Sequence, residues 1–289
     1  MKNIIRPRVA SLLRVMAVIL LAPLATLLLN GCVKTVDVTP TDDLTGNGVL
    51  QLRFEHGLGE AEFAYNTAVA TAAHDTVRFT KIRYFVSNFS FVRTDGSVYT
   101  VPKDSSYHLI TVVAGEDGVL NFTVPAGDYK TVRFIIGVDS AKSAAPLATR
   151  TGTLLPSANP DMYFSDTKGY VFVNLEGSSP QAPLSGGARL FSYHIGGYGN
   201  TTTTPVLNNI VQLSLDAPTA NGGLPAKVRK TKTPEYHLHV DFMSLFNGDD
   251  TGMNVIRPAT TPTIGFDANS TKARTNYAGM ITVEHVHNY

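Results

Sequence analysis

The sequence predicts a mainly β protein: an antiparallel β-sandwich with long loops and little helix. Apolar residues recur at period two through VLQLRFEH, TVRFTKIRYFVSNFSFVR, YHLITVV, GVLNFTVP and KTVRFIIGV. That spacing turns alternate side chains to opposite faces of a strand. Each run is bounded by Gly, Pro, Asn or Asp, and turns recur roughly every ten residues, as in sandwiches rather than in parallel α/β sheets. Helical patterning is confined to short stretches.

From the N-terminus, Lys2, Arg6, Arg8 and Arg14 precede an apolar run from Val15 to Leu29, the layout of a secretion signal. A permanent membrane span needs roughly 20 apolar residues, and Pro23 interrupts this run. Leu29-Asn30-Gly31-Cys32 then sets the chain's one cysteine directly after a small residue, where a bacterial lipobox places it. Residues 1–31 therefore read as a lipoprotein signal peptide and Cys32 as the site of lipidation. Residues 32–47 read as a polar, Thr- and Asp-rich tether, because they offer little to bury. Residues 48–289 form the folded domain. One cysteine makes no internal disulfide, so in an oxidising compartment this domain stands on its core alone.

Within it, Thr94-Asp95-Gly96-Ser97 and Pro125-Ala126-Gly127-Asp128 read as turns between strands. The Ala-rich stretch Tyr65 to Ala73 predicts a short helix, and Asp139 to Ala145 and Phe242 to Phe246 predict single turns. Pro, Gly and Ser accumulate between Leu175 and Ala188 and between Leu215 and Pro234, which predicts long surface loops. With 43% hydrophobic and 16% charged residues and a formal charge of +1, the composition is that of a globular protein. The chain lacks the basic face of a nucleic-acid binder; Lys227, Arg229, Lys230 and Lys232 read as a solvated loop.

Histidine is the main polar resource. His237 and His239 lie in YHLHVDF, with Asp241 on the same strand face and Leu238, Val240 and Phe242 on the other. At the C-terminus, TVEHVHNY sets Val283, His285 and His287 on one face. Two imidazoles one residue apart along a strand stand about 7 Å apart, close enough for side-chain rotation to bring both onto one metal. Neutral imidazole suits copper or zinc; such pairs also serve by hydrogen-bonding to backbone. Met162, Met243, Met253 and Met280 offer soft thioethers, although methionine is usually core filler. HExxH, P-loop, GxSxG and dinucleotide signatures are lacking. Gly196-Gly197-Tyr198-Gly199 reads as a loop, and Glu60, Glu62, Asp139, Glu176 and Asp241 are scattered rather than paired for hydrolysis.

Several segments in order resemble the MbnP family: LRFEHGLG, FTKIRYFVSNFSFVRTDGS, YHLI, VPAGDYKTVRFIIGVDSA, GYVFVNLEG, FSYHIGG and NYAGMITVEHVHNY. The resemblance covers most of the chain from Val49 to Tyr289. It implies a periplasmic or lipid-anchored protein that binds a copper ion, for copper capture or handling rather than catalysis, with a redox or copper-handling protein as partner. In relatives an oxidised tryptophan, kynurenine, takes part in binding copper. This chain reads Asp161-Met162-Tyr163-Phe164-Ser165-Asp166 at the corresponding stretch and contains no tryptophan, so no kynurenine forms here. That absence favours the alternative of an interaction or ligand-binding module that kept the fold and lost the metal. The resemblance implies His56, His194, His285 and His287 as copper ligands or their supports, with His237, His239 and Met162 as a second choice. Anchoring through Cys32 implies the membrane as a partner, and Val33 rather than aspartate after it points to the outer membrane.

Overall fold

The computed structural model describes residues 42–219, 223–248 and 254–289. The signal peptide, Cys32 and the tether up to residue 41 lie outside the described residues. In chain order the strands are β1 (Asn47–Leu58), β2 (Ala61–Glu62), β3 (Val69–Ala70), β4 (Thr76–Arg93), β5 (Val98–Thr100) and β6 (Tyr107–Thr111). Next come β7 (Gly118–Pro125), β8 (Gly127–Ile136), β9 (Tyr163–Ser165), β10 (Gly169–Ser178) and β11 (Leu190–Gly196). The last are β12 (Val211–Asp216), β13 (Ala226–Val228), β14 (Glu235–Asp241), β15 (Thr263–Ile264) and β16 (Ile281–His287). Among the described residues there are also three short α-helices, α1 (Ser140–Ser143), α2 (Ser244–Asn247) and α3 (Asn269–Tyr277), besides four single 3-10 turns.

The strands form a sandwich of two curled sheets. The smaller runs β16-β14-β1-β2, with β7 also paired to β1; the larger follows β12-β8-β4-β10-β11-β15. Most pairings are antiparallel, as the short turns require, but β1 lies parallel to β14 and β11 parallel to β15. Parallel neighbours need a long crossover, and between β1 and β14 the chain lays down β2, β7 and every strand of the larger sheet except β15.

Period-two alternation builds the interior. Leu50, Leu52 and Phe54 of β1 and Leu238 and Val240 of β14 are fully buried. Phe54 meets Tyr84 of β4 and Phe134 of β8 edge-on, at ring-centroid distances of 6.4 and 6.0 Å. A second, smaller cluster, including Phe85, Met162 and Tyr170, packs on the opposite face of the larger sheet. The middle of β4 is thus buried on both faces, which explains its unbroken apolar run. At Asn88 the chain adopts φ 58° and the register with β8 shifts. The core set moves from Ile82, Tyr84 and Val86 to Phe89 and Phe91. An extra residue in one strand has this effect, and Asn tolerates the left-handed conformation it needs.

The Asp95-Gly96 turn joins β4 to β5, with Gly96 at φ 88° and the Ser97 N–H donating to Asp95 Oδ1 at 2.8 Å. Single turns form at α1, where Asp139 caps the Lys142 N–H, and at α2. The predicted helix over Tyr65 to Ala73 does not form. Asn66 sits at φ 60°, and the Tyr65 hydroxyl donates to the Val112 carbonyl at 2.9 Å; so short a helix has too few internal bonds to compete. Conversely α3, in which Ala273, Asn276 and Tyr277 are buried, carries too weak an apolar period to be read from sequence. The first predicted loop begins only after β10 ends at Ser178, and the second contains β13. The folded part starts with β1 at Asn47, and Asp42 within the predicted tether pairs with the buried Arg229 at 2.5 Å.

Because Phe54 is enclosed by both sheets, Phe54→Ala is expected to cost about 3–5 kcal/mol. Urea unfolding followed by circular dichroism measures it; a loss below about 1 kcal/mol would show that the core closes over the site.

Candidate metal centre

On β14, burial of Leu238 and Val240 turns His237 and His239 to the outer face of the smaller sheet. Opposite it, β16 does not follow simple alternation. His237 pairs with His285, but Leu238 pairs with Val283, so Glu284 is an extra, bulged residue. The bulge reverses the sequence expectation that Val283 and His285 share a face. Val283 and Val286 pack against the core, while His285 and His287 stand outside beside His237. Re-aiming side chains is a recurrent role of β-bulges.

The outcome is a trio of imidazoles. Ring centroids lie 4.2 Å apart for His237 and His285, 4.8 Å for His237 and His287, and 4.6 Å for His285 and His287. One ligand nitrogen from each falls within 4.8 Å of the other two. Tyr289 stacks on His287 at 5.3 Å. His285 and His287 are exposed, whereas the His237 side chain is only 12% exposed.

Supporting groups come from β1, whose parallel register sets Arg53 beside His237 and Glu55 beside His239. Glu55 bonds to His237 Nδ1. Glu235, its side chain 3% exposed, lies 2.6 Å from Nε2, so the ring has a carboxylate against each nitrogen. Arg53 bridges Glu235 and Asp117, at 2.9 and 3.1 Å. Burial acts to raise the Glu235 carboxyl, but the hydrogen bond and charge of Arg53 outweigh it and hold the group below its ordinary value, ionised. Burial, then the neighbouring charges of His237 and His287, lower the His285 imidazole, which favours its neutral, ligand form.

Three imidazoles whose ligand nitrogens lie within 4.8 Å of one another, one of them oriented by the Glu55 carboxylate on its Nδ1, are a fitting donor set for copper or zinc. Glu55, Glu235 and Arg53 escape the sequence reading. Their spacing on one face of β1 and β14 is visible, but the parallel register that brings the strands together is not.

The remaining candidates lie elsewhere. His56 faces the interior, 8% exposed, its Nε2 3.1 Å from the Tyr84 hydroxyl and its ring stacked on Phe242. His194, on β11 of the other sheet, has both Glu176 (3.1 Å) and Ser192 (3.2 Å) against the same Nε2. That is not the relay of a hydrolytic triad, which uses both ring nitrogens. The structure therefore does not gather His56, His194, His285 and His287 into one site. His285 and His287 join His237 instead. His239 lies against the neighbouring Glu284, and Met162 is fully buried in the smaller core cluster.

The MbnP family model matches residues 47–265. The chain belongs to the MbnP family. Among solved structures, MbnP from Methylosinus trichosporium is similar at 14% sequence identity and a TM-score of 0.47, covering 70% of this chain and 78% of that one. A search of curated proteins gave no match. The MbnP match takes in β14 with His237 but ends before β16, so the placing of His285 and His287 rests on the geometry of this chain itself.

Burial of His56 lowers its imidazole to about 4 from an ordinary 6.5. The fold holds it neutral, while the unfolded chain takes up a proton below about pH 6.5. Its contribution is therefore complete above pH 6.5 and is lost as pH falls towards 4, by about 3 kcal/mol. In chelator-treated protein, His56→Gln is expected to flatten the fall in urea-unfolding stability between these pH values. An unchanged slope would assign the acid sensitivity to other groups.

Proposed function

We propose that this MbnP-family protein binds one copper ion through His237, His285 and His287, and serves copper capture or handling at the bacterial cell envelope rather than catalysis. The convergence of the three imidazoles carries the reading. Copper binds nitrogen donors more tightly than the other divalent first-row metals do, and the family's association with copper favours it over zinc. Without tryptophan, the site relies on imidazoles alone. Lipidation at Cys32 would hold the domain at the membrane, the outer one on the Val33 criterion, with His285 and His287 open to a copper-handling or redox partner.

Copper titration with elemental analysis on the full chain in detergent tests this. One copper per chain is expected, lost in the His285→Ala/His287→Ala variant; equal copper in that variant would refute the assignment. Glu55→Gln keeps the ligands but weakens the bond that orients His237, so copper affinity is expected to fall roughly 10- to 100-fold. An unchanged affinity would remove Glu55 from the site.

A further inference from the structure

The His237 ring is held between two carboxylates, Glu55 at Nδ1 and Glu235 at Nε2. Whichever nitrogen an ion takes, a carboxylate stands beside it. The two differ in their surroundings. The Glu55 side chain is 31% exposed, so water and salt screen its charge. Glu235 is 3% exposed and is held ionised by Arg53 at 2.9 Å. A charge in such a place is screened far less. Arg53 is not its counter-ion alone, because the same guanidinium also pairs with Asp117 at 3.1 Å. Three carboxylates, Asp117, Glu235 and Glu55, thus gather around one arginine and the ring, and negative charge is in excess beside the trio.

Strand register extends the reach of that charge. Glu235 pairs with His287 across the sheet, as His237 pairs with His285, and residues directly opposite are side-chain neighbours. One buried carboxylate therefore borders two of the three imidazoles. The donor types point the same way. Cuprous copper favours soft thiolate and thioether sulfur, whereas nitrogen and oxygen donors suit the cupric ion. Among the described residues the methionines are Met162, Met243 and Met280, and all three are buried in the core clusters.

We propose that Glu235 makes the trio a site for cupric rather than cuprous copper. At a given distance a negative charge stabilises a doubly charged ion more than a singly charged one. Glu235 acts through that charge, as a selectivity residue beside the ligands and not as one of them. This rests on the copper reading of the trio and adds to it the oxidation state that the site holds.

The test is a redox titration of copper bound to the full chain in detergent, with the cupric ion followed by electron paramagnetic resonance. A midpoint potential below that of aqueous copper is expected, since tighter binding of the cupric ion lowers it. Glu235→Gln is expected to reduce the cupric-to-cuprous affinity ratio at least 10-fold, which raises the potential by about 59 mV or more for one electron. Glu235→Asp, which keeps the charge, is expected to recover most of that shift. Asp117→Asn alters a partly exposed side chain and leaves Arg53 wholly to Glu235, so a smaller rise is expected. Circular dichroism checks that each variant is folded. A wild-type potential above the aqueous one would overturn the proposal, as would a folded Glu235→Gln variant whose potential is unchanged. Where Glu235→Gln does not fold, an unchanged potential in Asp117→Asn overturns it. Absence of bound copper in either oxidation state would instead sink the copper reading itself, and this inference with it.

Discussion

The parallel pairing of β1 with β14 is the constraint on which both the core and the candidate metal centre depend. Its register sets Leu52 beside Tyr236 and Phe54 beside Leu238 on the inner face. The same register sets Arg53 beside His237 and Glu55 beside His239 on the outer face. A slip of one residue would exchange the faces, sending Phe54 to solvent and Arg53 inward. The apolar side thus enforces the alignment that the polar side needs. Residues 182 positions apart in sequence, such as Glu55 and His237, meet because burial of their neighbours leaves one register available.

Around that pairing runs a chain of polar contacts: Asp117, Arg53, Glu235, His237, Glu55. Glu235 is nearly buried, and an isolated carboxylate there would be costly to ionise. Arg53 removes the difficulty by bonding to it and to Asp117, and the guanidinium is held further above its already high ordinary value by these partners. The effect on His237 is to fix its ring between two carboxylates. His285 and His287 have no such support. Close packing of three imidazoles is tolerable while they are neutral and repulsive once they are protonated, as the lowering of His285 indicates.

The strands were legible because period-two burial is a local property. β1, β4, β7 and β8 appear in the sequence nearly as they stand in the fold. Departures occur where a residue breaks the period. Asn88 shifts the core set of β4, and Glu284 turns His285 away from the face that Val283 occupies. No composition rule marks a bulge, since its reason lies in the partner strand. Likewise the two His-X-His pairs were visible, but not that one member of the first would join both members of the second. His56 and His194, attractive as motif residues, stand on different sheets and on different faces. Only pairing register separates them, and register between distant strands is not written in either strand alone.

The trio is also mechanically asymmetric. His237 sits on a strand flanked on both sides, by β1 and β16, with its ring bonded to Glu55. His285 and His287 sit on β16, which among the described residues pairs with β14 alone and is interrupted by the bulge at Glu284. Local opening is cheapest where backbone bonds are fewest and solvent is nearest. On the copper reading, one ligand is therefore pre-positioned at little entropic cost, while two belong to an element that yields more easily. A fully rigid trio would bind more tightly but release slowly, since differences in affinity between related sites fall mostly on dissociation. A site for passing an ion onward is better served by one firm ligand and two that can let go, and the edge position of β16 supplies that difference.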